Sequence, residues 1–165
     1  MAGSPKKQLS LDTNLPLDLA KAEDFAQDFR EEFQQRGYIL LLPPTVLAEL
    51  EYLVLFGSET NRKLAQSASS KIEDWRLTPF DLPDVHHEIA EQFARRLQRQ
   101  RLIPEDEFHD GLILAETSLA GIPFLVTSDK HLLDIDEDAL LIAFNEADLP
   151  SVHTVHPKRL IRALH

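Results

Sequence analysis

Tyr38-Ile39-Leu40-Leu41-Leu42-Pro43-Pro44-Thr45 is the stretch on which the fold turns. Five apolar residues stand in a row with no polar alternation. That pattern suits a strand covered on both faces, as in a parallel sheet. Two prolines then end the strand, and proline is well placed in the first turn of a helix. The helix is predicted from Thr45 to Phe56, with Val46, Leu47, Leu50, Leu53 and Val54 on one side. Leu53, Val54, Leu55 and Phe56 are expected in the core. Upstream, Gly37 caps a predicted helix from Leu19 to Arg36, whose apolar residues are Ala22, Phe25, Ala26, Phe29 and Phe33. Before Pro16 lies a short strand, Lys7 to Leu11, that runs into Leu11-Asp12-Thr13-Asn14.

Downstream, Ser58 to Trp75 reads as polar and helical, and Trp75 as a packing anchor. Thr78 to Pro83 reads as a loop punctuated by two prolines. Asp84 is the expected N-cap of a helix to Arg101. Pro104 with Glu105, Asp106 and Glu107 marks another helix start, acid at the positive end of the dipole, and that helix ends at Gly121. Strands are expected at Phe124–Thr127, Leu140–Phe144 and Val152–Val155, and a last helix at Pro157–Leu164. Strand and helix alternate. The fold class is therefore α/β, a three-layer α/β/α sandwich with a central, mostly parallel sheet. The chain reads as a single domain over 1–165, with a helical insertion at about 58–103.

The 165 residues and 43% hydrophobic content match one real core. Against 17 Lys+Arg stand 28 Asp+Glu, a net charge of -11. A globally basic nucleic-acid binder is excluded, but a nuclease that holds cations on its own carboxylates is not. The absence of cysteine removes disulfides, thiol catalysis and thiolate metal sites. No apolar run is long enough to span a membrane, and no apolar stretch of secretory type follows Lys6 and Lys7. The expected setting is cytoplasmic. The seven histidines fall in no zinc spacing: His86 and His87 diverge on a helix, and His153 and His156 face opposite sides of a strand.

Two acids follow strands directly. Asp12 ends the first strand, and Asp129 follows Thr127-Ser128 at the end of the Phe124 strand. Both are expected on the carboxyl rim of the sheet, where sites form in such folds. Paired carboxylates there suit a hard divalent cation. The helices add Glu49, Glu51 and Asp110. Periodicity does not choose between Glu49 and Glu51, since both lie at the margins of the Val46/Leu50/Leu53 face. Asp110 lies off the Phe108/Leu112/Leu119 face, but Leu114 shares its side.

Taken in order, these residues resemble a PIN domain, the nuclease fold of VapC-like toxins and other endoribonucleases. Leu11-Asp12-Thr13-Asn14 resembles its first motif. Pro44-Thr45-Val46-Leu47-Ala48-Glu49-Leu50 resembles the second, and this likeness is what selects Glu49 over Glu51. His109-Asp110-Gly111-Leu112-Ile113-Leu114-Ala115 resembles the third, and Leu125-Val126-Thr127-Ser128-Asp129 the fourth. The short interval from Asp110 to Asp129 must hold helix, turn and strand. The sequence departs from the family in three places. His131 stands where many members carry a further acid, with Asp134 and Asp136 beyond it. Glu116 replaces a usual small residue. The helices between Glu49 and Asp110 are longer than in compact toxins.

The resemblance implies metal-dependent hydrolysis of RNA phosphodiester bonds, with Asp12, Glu49, Asp110 and Asp129 as catalytic residues and ligands of Mg²⁺ or Mn²⁺. Asn14 and Ser128 would orient a carboxylate or a water, and Thr127 could do the same or serve the strand. Arg159 would contact substrate, within a basic group that includes Lys158 and Arg162; Arg95, Arg96, Arg99 and Arg101 form another. Implied partners are an RNA substrate, an antitoxin protein and a second copy in a homodimer, with no membrane. The alternative is a silent PIN-fold interaction module held by a partner protein. A receiver-type phosphoacceptor would want an acidic pair near the first strand. A haloacid-dehalogenase-type phosphatase would want aspartate where Asn14 stands.

Overall fold

The structure, a computed structural model, describes residues 7–165; Lys6 of the basic N-terminal stretch lies outside them. Five strands form one sheet: β1 (Gln8–Leu11), β2 (Ile39–Leu42), β3 (Leu77–Pro79), β4 (Phe124–Val126) and β5 (His153–Val155). Their order is β3-β2-β1-β4-β5 and every pairing is parallel. Nine helices are described: α1 (Asn14–Ala20), α2 (Asp24–Gln35), α3 (Pro44–Phe56), α4 (Glu59–Lys71), α5 (Asp84–Arg99), α6 (Phe108–Leu119), α7 (Lys130–Leu133), α8 (Glu137–Glu146) and α9 (Pro157–Ala163). The expected α/β sandwich is borne out, and the sheet is wholly parallel.

β2 is the apolar run that begins at Ile39. Leu40, Leu41 and Leu42 are buried, while Ile39 at the strand's entry is exposed. β1, central in the sheet, is buried from Leu9 to Leu11. Both match the double-sided cover that a continuous apolar run implies.

Four expectations give way. The single helix from Leu19 to Arg36 is two, α1 and α2, broken at Ala22 with φ +59°. Pro16 sits inside the first turn of α1, where its missing N–H costs nothing. The loop at Thr78–Pro83 begins with an edge strand: Leu77, Thr78 and Pro79 pair with Leu40, Leu41 and Leu42. Proline is tolerated there because β3 has a neighbour on one side only. The segment 58–103, read as helical, thus also supplies a strand of the sheet. Leu140–Phe144 is not a strand but the middle of α8. Asp136 accepts a hydrogen bond from the Asp138 N–H at its start, and Leu140, Ala143 and Phe144 are buried at helical spacing. Leu141 and Ile142, which made the run look continuous, face outward at 41% and 54% exposure. Finally, the far end of α3 is not core: Tyr52, Leu55 and Phe56 are largely exposed.

Smaller boundaries move by a turn or less. The helix after Pro104 begins at Phe108, and the cap before Asp84 is Pro83. Trp75 is buried, as expected, with Lys71 over its ring. α5 and α6 pack very closely because Gly111 faces Ala94. A Cβ at Gly111 would lie 2.9 Å from the Ala94 Cα. No described helix is long and apolar enough to cross a membrane.

Candidate functional site

The strand order reverses direction at β1, with β2 leading away on one side and β4 on the other. In parallel sheets the crevice outside the strand ends at such a reversal is where ligands bind. Asp12 leaves β1 there, and its N–H donates to the Val126 carbonyl of β4 at 3.0 Å. Asp129 leaves β4 two residues beyond Thr127.

Thr127 ties the two acids together. Its hydroxyl donates to Asp12 Oδ2 at 2.7 Å and accepts from the Asp129 N–H at 2.9 Å. The Thr13 N–H donates to Asp12 Oδ1 at 2.8 Å, so both oxygens of the buried Asp12 are oriented. Asp129 Oδ1 accepts from the His131 N–H and caps α7. The residue that takes the place of a further family acid thus meets Asp129 through its backbone.

The remaining acids arrive on helices. α6 presents Asp110, which is buried. The helix is anchored to β1 by a hydrogen bond between the Thr117 and Ser10 hydroxyls, 2.9 Å and buried. α3 presents Glu49, half-buried, with His109 Nδ1 3.7 Å from its Oε1. Glu51 is exposed on the same helix.

Burial and mutual repulsion dominate the electrostatics. Burial first, then the Thr127 and Thr13 hydrogen bonds opposing it, and then the charge of Asp129 bring the Asp12 carboxyl from 3.8 up to about 6. Burial and the Asp12 charge push Glu49 from 4.5 to about 7. Burial, followed by the charges of Asp12, Asp129, Glu107 and Glu49, pushes Asp110 from 3.8 to about 8. The acids therefore sense one another across four separate stretches of chain. Sequence reasoning missed Glu107, whose charge acts on Asp12, Glu49 and Asp110 alike. The available signal was its position one turn before Asp110, on the same side of the helix start.

Asn14 and Ser128 also meet. Asn14 Oδ1 accepts from the Ser128 N–H at 3.4 Å, and the Ser128 hydroxyl donates to Asp18 Oδ2 at 3.0 Å. Arg159 is exposed on α9 and forms no ion pair with any of the four acids. In the other basic group, Arg96 pairs with Glu146 at 3.3 Å.

A divalent cation fits the chemistry of this donor set, which is all hard oxygen. Glu49 Oε1 and Asp110 Oδ2 are buried with no hydrogen-bond partner. A cation would satisfy both and offset the repulsion that raises the neighbouring carboxyls. Among the described residues, no three His, Asp or Glu side chains stand close enough together to hold a metal ion as they are placed.

Comparison with known proteins agrees with the architecture. The chain is similar in fold to the structure of VapBC2 from Rickettsia felis bound to a DNA fragment from its promoter, at 19% identity and a TM-score of 0.59, covering 89% of this chain and 98% of that one. It is similar to VapBC-1 from nontypeable Haemophilus influenzae, at 15% identity and a TM-score of 0.58, covering 92% of this chain and 98% of that one. FitAcB from Neisseria gonorrhoeae matches at 19% identity and a TM-score of 0.50, over 88% and 96% of the two chains. No curated protein matches the sequence. The family model of the PIN domain matches residues 9–138, a span that holds β1 from its second residue, β2 to β4 and all four acids. With the fold and the ordered acids in agreement with that match, the chain belongs to the PIN domain family.

Proposed function

We propose that this chain is a metal-dependent endoribonuclease and the toxin of a toxin–antitoxin pair. The observation that carries the reading is the convergence of Asp12, Glu49 and Asp110 as buried or half-buried carboxylates, with the charge of Asp12 raising the other two and two of the three having a buried oxygen without a hydrogen bond. Asp12, Glu49, Asp110 and Asp129 would hold Mg²⁺ or Mn²⁺. Held there, the ion would supply Lewis-acid chemistry for attack of water on the phosphodiester and for charge at the leaving oxygen. The chain's own groups do the positioning. Thr127 and Thr13 fix the Asp12 carboxylate, and Asn14 with Ser128 shapes the turn that presents Asp129. Arg159, with Lys158 and Arg162 on α9, offers cations to RNA phosphates beyond the acids.

An antitoxin partner is supported by the exposed apolar end of α3, where Tyr52 and Phe56 pair their rings 5.1 Å apart. The same face favours the second reading, a silent PIN-fold module held by a partner protein. A homodimer and a cytoplasmic setting complete the proposal, with 1–165 as a single domain. The test is cleavage of labelled single-stranded and structured RNA by the purified chain with Mn²⁺, with EDTA, and with Asp12→Asn or Asp110→Asn. Cleavage is expected only with the metal and the intact acids. Activity that survives either substitution would sink the assignment; no activity in the intact chain with Mn²⁺ would favour the silent module.

A further inference from the structure

Glu49 and Asp110 reach the site on α3 and α6, and one side chain joins those two helices behind them. Glu116 lies in α6 at 2% exposure. Its Oε1 accepts from the Thr45 N–H at 3.0 Å, and its Oε2 accepts from the Thr45 hydroxyl at 2.6 Å. Thr45 is the second residue of α3, so one of the helix's orphan N–H groups is satisfied here. The cap residue Pro43 has no side-chain oxygen to do this, and Pro44 has no N–H to satisfy. Capping oxygens ordinarily come from the residue just before the helix. Here the oxygen comes from another helix, 71 positions along the chain. The small residue usual at this place in the family could make neither bond.

α3 needs such an anchor. Only Thr45, Val46 and Leu50 of its residues are buried, and its far end stands in solvent apart from its contact with α4. α6, by contrast, is fixed closely against α5 at Gly111 and to β1 at Thr117. Glu49 lies one turn along α3 from Thr45, so a tilt at the clamp moves its carboxylate directly. An error near 1 Å at such a site is costly.

We infer that Glu116 is a positioning residue: its two bonds to Thr45 seat α3 on α6 and so set the separation of Glu49 from Asp110. The inference rests on the reading of those acids as a metal site. It is tested by isothermal titration of Mn²⁺ into the full chain without RNA, at a temperature where each variant is folded by circular dichroism. Glu116→Ala and Thr45→Val are expected to weaken Mn²⁺ binding on the order of 10-fold. Glu116→Gln keeps an acceptor for the Thr45 N–H and offers its amide to the hydroxyl. It is expected to bind near the wild-type level, as is Thr45→Ser. Phe144→Leu, a core change outside both helices, is the control for lost stability and leaves Mn²⁺ affinity unchanged. Wild-type affinity in Glu116→Ala and Thr45→Val would overturn the inference alone, and so would an equal loss in Phe144→Leu. A wild-type chain that binds no Mn²⁺ would overturn the metal reading and this inference with it.

Discussion

Asp110 is the residue under most strain of charge. Its carboxyl is pushed up to about 8 by burial and by the acids around it, while Glu49 stands at about 7 and Asp12 at about 6. Each folded value lies above the ordinary one. The folded chain therefore holds protons that the unfolded chain has released. That contribution to stability is complete below about pH 4, declines as pH rises from there, and is gone once pH has passed the folded values of about 6 to 8. The metal-free protein is expected to melt lower at pH 8.5 than at pH 5. Asp110→Asn removes much of the difference. Its melting temperature should exceed the wild type's by about 3–5 °C at pH 8.5 and by much less at pH 5. Mn²⁺ should raise the wild type and leave the variant nearly where it was. A metal-free wild type that melts at one temperature across this range would contradict the repulsion described. Asp12 and Asp129 were legible because acids directly after strands must stand on the rim. Glu49 was not, since a helical wheel sets it level with Glu51; only the likeness to a family motif chose it. Glu116 could be marked as unusual, but its partner Thr45 lay beyond any local pattern.

At the scale of elements, the legibility of the chain depended on how many sides each segment buries. β2 is covered on both faces and reads as a continuous apolar run. α8 contains a run that looks the same, yet only Leu140, Ala143 and Phe144 of it are inside. Composition does not distinguish a strand buried on two faces from a helix with two exposed apolar residues. β3 escaped because proline usually punctuates, and an edge strand is the place where it need not. The packing of α5 on α6 makes a sharper claim. A methyl at Gly111 would meet Ala94 Cβ at 2.8 Å and Ile103 Cδ1 at 2.9 Å. Gly111→Ala is therefore expected to cost about 1–3 kcal/mol in urea denaturation, more than the roughly 1 kcal/mol that alanine gains over glycine within a helix. A variant as stable as its parent would mean that α5 moves off α6 at little cost. Because Asp110 precedes Gly111, the same substitution should lower nuclease activity more than stability alone accounts for.

Across the whole molecule, the net charge of -11 constrains how the proposed RNA substrate could be held. The carboxylates that converge at the sheet's switch point concentrate part of that charge at one place, and cations there would turn it toward phosphate. Beyond the acids, α9 offers three basic side chains, Lys158, Arg159 and Arg162. If all three meet a single strand, the slope of log affinity against log salt is about -2, at about -0.7 per phosphate. Binding of a short single-stranded RNA to a cleavage-dead Asp12→Asn chain, followed from low to moderate salt, measures it. A much steeper slope would bring in the second basic group, where Arg96 is engaged with Glu146 but Arg95, Arg99 and Arg101 are exposed.

The order of strands has a consequence for how the protein comes into being. β1 is made first, yet its neighbour β4 is made after α6, more than two-thirds of the way along the chain. Until Phe124–Val126 leaves the ribosome, Asp12 has neither the Val126 carbonyl nor the Thr127 hydroxyl beside it. Contacts this distant in sequence close late and slowly. A chain stopped just before β4 carries Asp12, Glu49 and Asp110 but lacks the strand that brings Thr127 and Asp129 to them. During translation, the proposed site therefore cannot assemble until β4 has been made.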